Sequence, residues 1–125
     1  STYGGHPVAC AAALASISEI LDKDLSGNAK VVGEYMVEQM SKLPHVKEAR
    51  GRGLLVGCEY DLPIALEVKW GCMRRHALIT AIGSSVNRMI PPLIATKEDV
   101  DKLMGIMEES INDAVEKYQK LTKAA

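Results

Sequence analysis

The chain has 125 residues, enough for one domain with its own hydrophobic core. Hydrophobic residues make up 47% of it and charged residues 25%, and its net charge is −1, which argues against nucleic acid or an anionic membrane as a partner. No apolar run approaches the roughly 20 residues of a membrane span. Its three cysteines form no metal-binding motif. We therefore expect a soluble, cytoplasmic protein with reduced, buried cysteines and no metal site.

The first third of the chain predicts two helices. Pro7 suits a first helical position, where its missing N–H costs nothing, and an alanine-rich helix should run from there to about Asp22. A second helix is predicted over residues 28–43, with Ser26 or Asn28 as its cap. Its apolar stripe at helical spacing consists of Val32, Met36, Met40 and Leu43.

A β-hairpin is predicted in the middle of the chain. Residues 46–49 form a short strand candidate, and residues 54–60 show a clear strand pattern. The Arg-Gly-Arg-Gly segment 50–53 would connect the two strands. Arginines beside flexible backbone can bind an anion, but solvated arginines in a strand connection are the simpler interpretation. Arg52 is therefore kept only as a reserve candidate.

The remaining elements complete an α+β fold. A third helix is predicted over 63–76, and a second strand pair over 78–82 and 86–90. Thr96 should cap a long last helix, with Asp99 in the capping-box position. The inward residues of the third helix are expected to be Ile64, Ala65, Val68, Cys72 and Met73. The predicted architecture is an antiparallel sheet of about four strands with helices packed on one face.

One arginine stands apart from the other charged residues. Arg88 lies within the apolar run 86–90, directly before Pro91-Pro92. Strand alternation places Val86, Arg88 and Ile90 on one face, which is a poor pattern for a merely solvated side. Such a guanidinium either points to solvent or is held for a planar anion such as a carboxylate. The residues alone leave both interpretations open.

Three segments resemble the class III pyridoxal-phosphate aminotransferases, a family that includes acetylornithine, ornithine and 4-aminobutyrate aminotransferases. They are STYGGHPVACAAALA at 1–15, ARGRGLLVGCEYD at 49–61 and NRMIPPLIATKEDVDKL at 87–103, and they occur in the family's order. The short spacing between GRGL and IPPL is most similar to the acetylornithine and succinyl-diaminopimelate type. One departure is His6, where many members carry asparagine. The resemblance implies the C-terminal segment of a longer enzyme, whose Schiff-base lysine lies upstream.

The resemblance also implies roles for individual residues. Arg88 would hold the α-carboxylate of the substrate. Ser1 and Thr2 would reach across a homodimer interface to the phosphate of pyridoxal 5′-phosphate in the partner subunit, although the residues alone also fit helix-capping hydroxyls. Residues 1–22 would form a phosphate-contact loop and an interdomain linker helix. Residues 23–125 would form the small C-terminal domain of a fold-type I aminotransferase.

The activity implied by this family is transfer of an amino group from an amino acid or an ω-amine to a 2-oxo acid. No catalytic residue is expected within these 125 residues, so the segment alone should be inactive. The alternative from a different class is a self-standing α+β interaction module without catalysis. Without the large domain, the first helix should leave the slim alanine face of residues 9–15 and nearby apolar side chains exposed, and we expect self-association through it.

Overall fold

The computed structural model describes residues 2–123, which form four helices and one four-stranded antiparallel sheet. The elements in chain order are α1 (Pro7–Asp22), α2 (Leu25–Met40), β1 (Val46–Arg52), β2 (Leu55–Tyr60), α3 (Ala65–Arg74), β3 (Thr80–Ile82), β4 (Val86–Met89) and α4 (Lys97–Lys123). The strand order across the sheet is β1-β2-β4-β3. The predicted α+β class with a four-stranded antiparallel sheet is confirmed.

The hydrophobic core lies on one face of this sheet. Val56 and Met89 point into it and are buried, whereas the adjacent Leu55 and Arg88 are exposed. Helices α2, α3 and α4 supply the other side of the core through Met36, Met40, Val68, Cys72, Met107 and Ile111. The opposite face of the sheet, called the open face below, carries exposed or half-buried residues. These are Glu48, Arg50, Arg52, Leu55, Gly57, Glu59, Thr80, Ile82, Val86 and Arg88.

The start of α2 differs from the prediction. The helix begins at Leu25, because Asp24 rather than Ser26 or Asn28 caps it. The Asp24 carboxylate accepts a hydrogen bond from the Gly27 N–H at 3.2 Å. Ser26 and Asn28 consequently lie inside the helix. The end of α2 is displaced in the same way, from the predicted residue 43 to Met40. Three other predicted elements were too long, since α3 covers only Ala65–Arg74, and β3 and β4 cover only Thr80–Ile82 and Val86–Met89.

The hairpin connection is shorter than predicted. Arg50, Gly51 and Arg52 belong to β1, and the ladder with β2 continues to the pair Arg52↔Leu55. The turn itself contains Gly53, whose φ of 54° lies in the left-handed region that glycine tolerates. The backbone of the two arginines is therefore fixed in a strand rather than held in a flexible loop.

Two residues expected inside the protein are exposed. Met73 has an exposed fraction of 49%, because it lies just beyond the side of α3 that buries Cys72. Cys10 lies on α1, whose surface is not covered, and is also exposed. Cys58 and Cys72 are buried free thiols as predicted, and burial raises the pKa of both.

The long helix α4 is fixed at its start and at its middle. The predicted capping box is present: the Thr96 N–H donates to the Asp99 carboxylate at 3.1 Å, and the Asp99 N–H donates to Thr96 Oγ1 at 3.2 Å. Further along, the Arg75 guanidinium at the end of α3 donates to Glu109 and Asp113, each at 2.8 Å. No helix within residues 2–123 is long and apolar enough to cross a membrane.

Helix α1 contacts α2 but buries none of its own residues. Its exposed apolar side chains include Val8, Leu14, Ile17 and Leu21, with exposed fractions from 54% to 73%. A 16-residue helix without a buried face gains little stability from tertiary packing. In this chain α1 therefore offers an apolar surface to another molecule.

We predict that this 125-residue chain self-associates through α1. Burial of Leu14 or Ile17 at an interface contributes about 1.5–3 kcal/mol per side chain. Leu14→Lys combined with Ile17→Lys should therefore weaken association by at least about tenfold, as measured by analytical ultracentrifugation. Leu121→Lys, a change of the same type at the far end of α4, is the control and should have little effect. A monomer at every concentration from micromolar to millimolar would contradict the prediction.

Candidate substrate-binding face of the sheet

Arg88 projects from an interior strand onto the open face. Strand β4 lies between β2 and β3, and Arg88 pairs with Gly57 on one side and Thr80 on the other. Its chain neighbours Asn87 and Met89 are buried, whereas Arg88 is exposed. The predicted alternation is therefore present. The backbone of Arg88 is held on both sides, and its guanidinium faces away from the core.

On the open face Arg50 forms ion pairs, and Arg88 forms none with residues 2–123. The Arg50 guanidinium lies 2.9 Å from the Glu48 carboxylate and 3.3 Å from that of Glu59. Hydrogen bonds from Lys47 and Arg50 hold the pKa of Glu59 below its usual value, so this carboxylate stays ionised and occupied. Arg88 has no ion pair and no side-chain hydrogen bond with any residue from 2 to 123. It presents a planar cation with its donors free for a ligand.

Asn87 fixes β4 from the core side. Its side chain is fully buried, and its Oδ1 accepts a hydrogen bond of 2.8 Å from the Tyr60 hydroxyl. Its Nδ2 donates to the carbonyl oxygens of Ala65 at 3.0 Å and Thr80 at 3.4 Å. Burial raises the pKa of Tyr60, which therefore remains a protonated donor. Sequence reasoning missed this network, although a polar residue at an inward strand position was a signal for it.

The segment after Arg88 is tied to helix α2. Pro91-Pro92 cannot donate ladder hydrogen bonds, so the sheet ends there. The Asn28 side-chain amide then donates to the carbonyl oxygens of Leu93 at 2.7 Å and Ala95 at 3.0 Å. The chain is thus held both within β4 and directly after it. This arrangement limits how far the Cα of Arg88 can move.

The N-terminal loop is open. Ser1 lies outside the described residues, and residues 2–5 are exposed. The His6 N–H donates to the Tyr3 carbonyl at 3.2 Å, and Gly5 has a φ of 78°, so the loop makes a tight turn into α1. This loop lines neither of the two grooves that contain Arg52. The Thr2 hydroxyl and the amide groups of residues 2–5 suit a phosphate, and these residues lie open to solvent in the described part of the chain.

Arg52 lies at a separate location. It lines an open groove of about 670 Å³ between α2 and the β1–β2 turn, and an adjoining groove of about 390 Å³. Lys30 and Glu34 line the larger groove as well, so the groove carries both signs of charge. Arg88 lines neither groove. Arg52 consequently remains outside the candidate site.

Comparison with known proteins identifies the family. The model of the class III aminotransferases matches residues 1–111, and the chain therefore belongs to this pyridoxal-phosphate-dependent family. Acetylornithine aminotransferase of Caldanaerobacter subterraneus subsp. tengcongensis is 36% identical over 117 residues, which cover 90% of this chain and 30% of the relative. Ornithine aminotransferase 2 of Staphylococcus aureus is 40% identical over 106 residues, 81% of this chain and 26% of the relative.

Solved structures show the same relationship. Acetylornithine aminotransferase from Elizabethkingia anophelis superposes with a TM-score of 0.79 at 27% identity, over 90% of this chain and 30% of that chain. Ornithine aminotransferase from Toxoplasma gondii superposes with a TM-score of 0.81 at 29% identity, over 95% and 30%. The chain thus spans about 30% of the length of these proteins. The resemblance predicted from the three sequence segments is confirmed.

Proposed function

We propose that this chain is the substrate-orienting segment of a class III aminotransferase that transfers an amino group from an amino acid or an ω-amine to a 2-oxo acid. Family membership and the relatives named acetylornithine and ornithine aminotransferase support the reaction class. The observation that carries the assignment within this chain is the unpaired guanidinium of Arg88 on a rigid strand.

Arg88 would hold the α-carboxylate of the substrate. A guanidinium stays charged at physiological pH, and its planar fork matches both oxygens of a carboxylate. Because Gly57 and Thr80 pair with Arg88 through the backbone, a carboxylate bound there would be fixed relative to the sheet. Arg88 would therefore contribute through orientation rather than through proton transfer.

The cofactor would be held largely by parts of the full-length enzyme outside this chain. Pyridoxal 5′-phosphate supplies the stabilisation of negative charge at the substrate carbon when it is bound. In the proposed homodimer, Ser1 and Thr2 would contact the phosphate of the partner subunit's cofactor. Residues 1–22 would serve as the linker to the cofactor domain, and residues 23–125 as the small C-terminal domain. The exposed α1 is compatible with such a linker, since a neighbouring domain would cover its apolar side chains.

We expect amino transfer by the full-length enzyme and none by this 125-residue chain alone. The physical reason is that the cofactor performs the bond-breaking chemistry and needs its own binding domain. The experiment incubates both proteins with pyridoxal phosphate, an α-amino acid donor and a 2-oxo acid acceptor, and quantifies the new amino acid.

Borohydride reduction followed by peptide mapping is the control for cofactor binding. Turnover by the 125-residue chain, or one specific pyridoxyl-lysine within it, would contradict the proposed division of labour. A full-length protein that loads cofactor but transfers no amino group would favour the non-catalytic interaction module instead.

A further inference from the structure

We propose that Gly57 is a specificity-determining residue, because its missing side chain leaves room on the open face for a carboxylate beside Arg88. The inference rests on the function proposed above, and it assigns the position of the substrate carboxylate relative to the sheet. The ligand is the α-carboxylate of an amino or 2-oxo acid.

Gly57 occupies a position where glycine is unfavourable for the fold. It lies in the middle of β2, which is an interior strand between β1 and β4. Glycine weakens a strand interior, since it packs no side chain and loses more conformational freedom than any other residue. Glycine at such a position often marks a place where a ligand or another backbone approaches closely.

The backbone around Gly57 does not require a glycine. A Cβ built there would meet only the carbonyl oxygen of Asn87, at an ordinary contact distance of 3.5 Å. By contrast, a Cβ on Gly33 would lie 2.0 Å from the Gly53 carbonyl oxygen, and a Cβ on Gly51 would lie 2.6 Å from that of Leu55. Gly57 also has no left-handed φ. The fold explains Gly33 and Gly51, and it leaves Gly57 unexplained.

Gly57 lies in the same transverse row of the sheet as two arginines. It pairs with Arg50 on β1 and with Arg88 on β4. Arg50 is already engaged by Glu48 and Glu59, so within this row the free guanidinium beside Gly57 is that of Arg88. The row therefore offers one carboxylate site rather than two.

The residues two positions before and after Gly57 on β2, Leu55 and Glu59, also favour binding of an amino or oxo acid at this position. Leu55, exposed by 53%, gives an apolar side against which carbon atoms can pack. Glu59 on the other side is held by Lys47 and Arg50, which reduces its repulsion of a bound carboxylate. A side chain at position 57 would stand between these two flanks and displace the ligand from Arg88.

The test compares Gly57→Ala and Gly57→Val in the full-length, cofactor-loaded enzyme. We expect KM for an α-carboxylated donor to rise on the order of tenfold for valine and less for alanine, since a few added methyl groups in a site discriminate by about this much. The kcat, the cofactor content and the KM for an amine without a carboxylate should change little, and the Tm should not fall, since glycine is unfavourable within a strand. Gly105→Ala is the matched control. Gly105 lies on α4, away from the open face, and a Cβ at this position would meet nothing within 4 Å.

Two results would overturn the inference while leaving the proposed function intact. One is an unchanged KM for the carboxylated donor in Gly57→Val, while Arg88→Ala still lowers kcat/KM more for the carboxylated donor than for the donor without a carboxylate. The other is a lower Tm or a lower cofactor content in Gly57→Ala. That result would mean that glycine is needed there because another backbone segment, rather than the substrate, approaches Gly57. Equal losses for both donor classes in Arg88→Ala would instead overturn the proposed function and this inference with it.

Discussion

Arg88→Ala in the full-length enzyme is expected to lower kcat/KM for α-carboxylated donors by roughly 30- to 1000-fold, because losing a charge-assisted bidentate contact costs on the order of 2–4 kcal/mol. Folding and cofactor binding should be nearly unchanged, since the Arg88 side chain has no ion pair or side-chain hydrogen bond with residues 2–123. The measurement is steady-state kinetics with two donors, one with an α-carboxylate and one without.

The donor without the carboxylate provides the internal control, because it has no group for Arg88 to hold. Arg88→Lys keeps the charge but loses the planar fork, so it should recover only part of the activity. Arg52→Ala is the matched control on the same face, since Arg52 lines two grooves that Arg88 does not line. Equal losses for both donors in Arg88→Ala would make Arg88 a structural residue.

Periodicity and local motifs made part of the fold predictable. The spacing of Val32, Met36 and Met40 identified the inward face of α2, and all three are buried. The Thr96–Asp99 capping box placed the start of α4, because that signal depends only on residues close together in sequence. The same reasoning placed Arg88 on the open face of β4. Its role as the holder of a carboxylate stays a prediction.

Other features depended on contacts between distant residues and could not be predicted. Asn28 resembles a helix cap in sequence, but its amide bonds the chain after Pro92, and the cap comes from Asp24 with a φ of 44°. The segment 50–52 was predicted to be a loop because of its glycine and arginines. Pairing with β2 overrides that local preference and extends the strand.

The Asn87 network is the feature of the candidate site that only the three-dimensional structure reveals. The amide joins β4 to β2, to β3 and to the start of α3 through Tyr60, Thr80 and Ala65. A fully buried polar side chain is tolerated only when its hydrogen bonds are satisfied. The position of the Asn87 amide therefore depends on all three partners together. Removing one member of the network leaves a buried polar group with neither its partner nor water to bond.

Asn87→Leu is accordingly expected to lower the free energy of unfolding of this 125-residue chain by about 2–4 kcal/mol, because it leaves the buried Tyr60 hydroxyl and Ala65 carbonyl without this partner and removes the bond to the part-buried Thr80 carbonyl. Urea unfolding followed by circular dichroism measures the change, with equal m-values as the condition for comparison. Ser110→Ala is the matched control, since Ser110 is equally buried and its hydroxyl donates to the Ile106 carbonyl of its own helix. Tyr60→Phe combined with Asn87→Leu should cost less than the sum of the two single changes, because the hydroxyl left unpaired by Asn87→Leu is then absent. A cost for Asn87→Leu no larger than that of Ser110→Ala would show that the network does not hold β4 in place.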